Sequence, residues 1–139
     1  MESLEALTHE LFTFFNGFSS WESSVIRSSD LTVSEAHAIE VLGEHGPMNM
    51  KNLAQKLGVT TGTTTVTVDR LEKKAYAVRE PVKEDRRVHR ITLTERGQQA
   101  FFEHHKYHFN LTEQISSVLS TEENEQLLRI LKKINAEAL

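Results

Sequence analysis

Between Met50 and Leu93 the apolar period switches from helical to alternating, and that switch limits the folds open to the chain. Met50 to Leu57 predicts a short helix stopped by Gly58, because glycine readily takes the left-handed conformation that ends a helix. Thr60 or Thr61 then caps a further helix running to about Lys74. Its expected inward face is Thr64, Val68, Leu71 and Ala75, spaced 4, 3 and 4. Two short helices joined by Leu57-Gly58-Val59-Thr60 make a helix-turn-helix pattern. Residues 76–80 and 88–93 read as strands, and the charged stretch 81–87 as an exposed turn between them. A helix-turn-helix followed by a basic hairpin predicts a winged helix.

The flanks return to helical spacing. Leu4, Leu7, Leu11, Phe14, Phe18, Trp21 and Val25 form one stripe on a long first helix, broken at Ser28-Ser29-Asp30. A second helix opens at residues 31–35, runs to about Glu44 and stops before Gly46-Pro47. After the hairpin, a helix starting near Thr94 carries Phe101, His104, His108, Leu111, Ile115 and Val118 on one face. Residues 120–123 restart a last helix, with Leu127, Leu128, Leu131 and Ile134 expected to face inward. The expectation is a mainly α fold with a small β-hairpin wing. Its parts are a dimerisation helix at 1–30, a winged helix-turn-helix at 31–95 and dimerisation helices at 96–139.

Composition removes several alternatives. The chain has 139 residues, 38% apolar and 26% charged, the balance of a soluble globular protein. It has no cysteine, which excludes disulfides and thiolate metal sites. No apolar run approaches the roughly 20 residues of a membrane span, and the acidic N-terminus does not resemble a signal peptide. A cytoplasmic location is expected. The net charge of −4 hides an asymmetry: residues 51–96 carry 11 Lys/Arg against 6 Asp/Glu, and the remainder 5 against 14. A basic middle between acidic ends is an electrostatic footprint for nucleic acid.

The second helix of a helix-turn-helix enters the major groove and presents its early residues to base edges. Here that helix begins with five threonines in six residues. Their hydroxyls can donate or accept, and their methyls can touch thymine. Thr63, Val66 and Arg70 on the outward face, with Thr61 and Thr65 at its edge, are the expected base-reading set. Lys83, Arg86 and Arg87 in the hairpin suit phosphates or a minor groove. Asp85, two residues before Arg87, is placed to orient its guanidinium.

At residues 85–97 the chain resembles the MarR family, whose signature is Asp-x-Arg, five residues, then Leu-Thr-x-x-Gly. Asp85, Arg87, Leu93, Thr94 and Gly97 match it. Residues 53–59 and 69–74 are similar to the family as well. The resemblance implies a homodimeric regulator, a repressor by expectation, whose outer helices interlock while each lobe reads half of a pseudo-palindromic operator. Ala75 departs from the family, which usually has glycine there. A left-handed backbone at that residue would cost alanine on the order of 1 kcal/mol.

His37, His104 and His108 sit on helical faces where hydrocarbon is expected, and the last two share a face at i, i+4. One reading makes them hydrogen-bonded interface residues. A second follows from the resemblance to zinc-responsive members of the family, where the matching histidines bind zinc with a glutamate that Glu22 would supply. A third follows from the resemblance to the fatty-acid-biosynthesis repressors, whose partner is an acylated carrier protein. Residues 35–43 and 59–65 look closest to that branch. Catalysis is not expected: the chain has no phosphate-binding glycine loop and no nucleophile elbow. The alternative outside DNA binding is a dimeric module that senses a metal or an acyl carrier protein.

Overall fold

The computed structural model describes residues 2–138. Six helices and one antiparallel hairpin follow in order: α1 Glu2–Ile26, α2 Val33–His45, α3 Met50–Leu57, α4 Thr61–Lys73, β1 Ala77–Val82, β2 Asp85–Leu93, α5 Glu95–Ser117 and α6 Thr121–Glu137. The mainly helical, winged architecture is the one expected. The residues up to His104 form one compact unit, and those from His105 onward a second.

Local signals set the element ends of the first unit. Thr32 caps α2 in a capping box: its hydroxyl accepts the Glu35 N–H at 3.2 Å, and the Glu35 carboxylate accepts the Thr32 N–H at 3.3 Å. Asn49 caps α3, and Gly58 ends it at φ 70°. Thr60 caps α4 by accepting the Thr63 N–H at 3.1 Å. Ile39 and Leu42 from α2, Leu53 from α3, Val68 and Leu71 from α4, and Ala77, Ile91 and Leu93 from the hairpin close one apolar core. A fully buried side chain of the leucine or isoleucine kind contributes roughly 1.5–3 kcal/mol of transfer free energy.

Three expectations need correction. Ala75 is not on the inward face of α4. It lies beyond the helix end, exposed, at φ 66°. Thr67 shares the inward face instead, buried with Thr64, Val68 and Leu71. The wing turn is also shorter than 81–87, because the strands continue to Val82 and from Asp85. Pro81 pairs with His89 but Val82 with Asp85, so Arg86, Arg87 and Val88 bulge out of the ladder. A two-stranded hairpin has only edges, where proline is tolerated. Finally, Leu128, Leu131 and Ile134 remain 38–57% exposed, and α6 buries no residue within one chain. The first half of the α1 stripe is likewise open, with Leu4, Leu7, Leu11 and Phe14 at 54–63% exposure.

The second unit is organised by Ser120 and Asn124. Ser120 forms a capping box with Glu123, and the Asn124 amide donates to the carbonyls of Ser116 at 3.2 Å and Ser120 at 3.0 Å. These bonds fix the turn between the end of α5 and α6. Among the described residues no helix is long and apolar enough to cross a membrane.

Candidate nucleic-acid interface

The threonines of α4 divide by direction. Thr64 is fully buried and its hydroxyl donates back to the Thr60 carbonyl at 2.9 Å. Thr61 and Thr63 are exposed, Thr65 is half-buried and Val66 is 49% exposed. The Thr60 hydroxyl donates to Thr63 Oγ1 at 3.0 Å, so Thr63 keeps its own proton for an outside acceptor. Thr65 has committed its proton to the Thr61 carbonyl at 2.8 Å and offers lone pairs and a methyl group. Arg70 is exposed one turn further on. This edge of α4 therefore presents a donor, acceptors and methyl groups, the inventory a major groove requires.

The hairpin presents charge. Lys83, Arg86 and Arg87 are all exposed. Asp85 Oδ1 accepts the Arg87 backbone N–H at 3.0 Å and its Nε–H at 3.2 Å. Those two bonds hold the Asp85 carboxyl below its ordinary range, the backbone bond contributing most. The Arg87 side chain stays 91% exposed, so its orientation is set while its outer face remains available.

The rest of the signature motif seats the hairpin on α5. The Thr94 hydroxyl donates to the Ala75 carbonyl at 2.6 Å and accepts the Gly97 N–H at 3.1 Å. A Cβ on Gly97 would stand 2.1 Å from the Tyr76 carbonyl oxygen, which leaves no room for any other residue.

The sequence reading missed a polar network behind the interface. Lys74 Nζ donates to both Glu35 oxygens, at 3.0 and 2.8 Å, and to the Asp30 carbonyl. Glu35 is 1% exposed, so this pairing offsets the cost of a buried charge. The Tyr76 hydroxyl donates to Asp30, and Arg96 donates to Asp30 Oδ2 at 3.2 Å while lying 4.4 Å over the Tyr76 ring. The Tyr76 hydrogen bond is the main cause that lowers the Asp30 pKa. Burial, then the Asp30 carboxylate, raises that of Tyr76. The only hint in the sequence was the capping-box pattern at Thr32 and Glu35.

The histidine group is divided. Glu22 is buried and pairs with His37, whose side chain is 53% exposed. His104 is buried with its Nε2 4.0 Å from Glu40. His108 follows four residues later along α5. Among the described residues no group of three or more metal-ligating side chains includes Glu22 or His37.

A capped reading helix, a turn closed by a left-handed glycine and a tethered basic hairpin together define a winged helix-turn-helix DNA-binding regulator. Comparison with known proteins agrees. The model of the MarR family matches residues 31–89. The helix-turn-helix regulator YkoM of Bacillus subtilis is 27% identical over 135 residues, covering 95% of this chain and 88% of its own. MhqR of the same organism is 29% identical, covering 81% and 78%. The crystal structure of Streptococcus pneumoniae FabT in complex with DNA superposes with a TM-score of 0.88 at 28% identity, over 96% of this chain and 95% of that one. Residues 31–89 thus match the MarR family of transcriptional regulators, and over nearly its whole length the chain is similar to helix-turn-helix regulators and to a DNA-bound one.

Proposed function

We propose that this regulator is a cytoplasmic homodimer that represses transcription by covering a pseudo-palindromic operator. One observation carries the reading: the first half of the α1 stripe, Leu4 to Phe14, stands in water within a single chain, while the same chain presents a threonine edge and a basic wing. Contiguous exposed hydrocarbon of this kind calls for a partner surface, and a second copy supplies a matching one. Residues 1–30 and 96–139 then serve dimerisation, and residues 31–95 read DNA. Thr61, Thr63, Thr65, Val66 and Arg70 face the bases, while Lys83, Arg86 and Arg87 take phosphates or a minor groove, with Asp85 holding Arg87.

Half-sites one turn apart, roughly 34 Å, tolerate little misalignment of two recognition helices. An effector bound within the dimer would shift that spacing. The resemblance of residues 35–43 and 59–65 to the fatty-acid-biosynthesis repressors makes an acylated carrier protein the effector class. Light scattering should show a dimer, and a gel shift on duplex from upstream of the protein's own coding sequence should show retardation at low salt. Arg70→Ala should weaken that binding by more than about 1 kcal/mol if Arg70 meets a base. A strictly monomeric protein, or one that ignores the duplex, ends the reading. Pull-down of acylated against unacylated carrier protein tests the effector separately.

A further inference from the structure

Arg79 occupies the last rung of the hairpin that holds a buried residue. Its cross-strand partner is Ile91, 1% exposed. Ile91 exchanges both backbone hydrogen bonds with Met48, at 3.3 and 2.8 Å. Beyond this rung, every residue from 80 to 90 is exposed or half-exposed. A two-stranded hairpin is marginal by itself, so the angle at which it leaves the body depends on what grips this rung.

Met48 grips it on the β2 side, and Arg79 grips it on the other. Arg79 Nη2 donates to Asp69 Oδ1 at 2.8 Å, and Nη1 donates to Glu72. Asp69 and Glu72 lie three residues apart on α4, hence on one face. A forked guanidinium bound to two carboxylates on one helix resists rotation as well as separation. The wing cation Lys83 lies four residues further along, ~13 Å at the usual rise of a strand. Over that arm a 10° swing moves the tip by about 2 Å, more than a charge-assisted hydrogen bond tolerates.

We propose that Arg79 is a positioning residue for DNA binding, setting the wing's angle to the recognition helix through Asp69 and Glu72. The inference rests on the DNA-binding reading above. The test is a mutant cycle on the full-length protein, with affinity for its upstream duplex measured across a salt series. Arg79→Ala should lose on the order of tenfold in affinity and flatten the salt dependence. Asp69→Ala with Glu72→Ala should lose about as much, and the triple variant no more than either. Arg87→Ala should become nearly silent once Arg79 is alanine, because a wing out of place has little left to lose. Arg79→Lys, keeping the charge but reaching one carboxylate, should recover part of the affinity, and it replaces alanine in the cycle if that variant melts early. Equal loss from Arg79→Ala with and without the two carboxylates would mean that Arg79 meets DNA itself, and overturns the proposal. Tighter binding on removing the carboxylates overturns it too. A wild-type protein that ignores the duplex overturns the parent reading, and this one with it.

Discussion

Replacing Ala75 with glycine should stabilise the protein. Helix α4 ends in a Schellman motif: the Tyr76 N–H donates to the Leu71 carbonyl at 2.9 Å and the Ala75 N–H to the Glu72 carbonyl at 3.0 Å. The motif places Ala75 at φ 66°, where a Cβ crowds the following carbonyl at a cost of roughly 1–2 kcal/mol. The Ala75 side chain is exposed, so deleting it forfeits little burial. Glycine brings a freer unfolded chain, which returns roughly 0.5–1 kcal/mol. The balance is a gain of about 0.5–1 kcal/mol. For a chain of this size that is a rise of roughly 2–4 °C in Tm, read by calorimetry at fixed protein concentration because a dimer's Tm depends on it. Ala75→Val should move the other way, since a β-branched residue fits φ > 0 worst. A glycine variant that melts no later than wild type would refute the reasoning.

Further outcomes follow from the same contacts. Gly97→Ala should destabilise by several kcal/mol or prevent folding, because its Cβ meets a backbone carbonyl that cannot turn aside, and an unchanged denaturation midpoint would contradict the packing. Tyr76→Phe should raise the NMR-titrated pKa of Asp30, since the lost hydroxyl bond is the largest cause of its depression. Asp30 accordingly adds stability above its unfolded value of 3.8, lost as pH falls through the lower folded value, and Asp30→Asn should remove that acid sensitivity. Tyr76 behaves oppositely: its contribution holds below pH 10.0 and is lost as pH rises through its raised folded value. Arg87→Ala should weaken binding to many duplexes alike and reduce the salt slope by about one, and an unchanged slope would remove the wing from the interface.

The helix-turn-helix and the hairpin were legible in the sequence because their signals are local. Gly58 ends one helix, Thr60 caps the next, and the fall in apolar period marks where backbone hydrogen bonds pass from helix to ladder. The basic middle was legible too, since charge can be counted without coordinates. The departure at Ala75 flagged a left-handed residue before any angle was measured, yet the same reading placed that residue on a helix face. Periodicity locates a face but not the residue where the helix stops.

Tertiary structure alone decided which side chains meet. Asp30 and Arg96 are 66 positions apart, and Glu35 and Lys74 are 39 apart. Arg79 reaches Asp69 and Glu72 only because the hairpin folds back along α4. Such pairs depend on the angles at which elements pack, and no spacing along the chain encodes those. For the same reason no spacing along the chain showed that Glu22 pairs with His37 or that His104 stands 4.0 Å from Glu40.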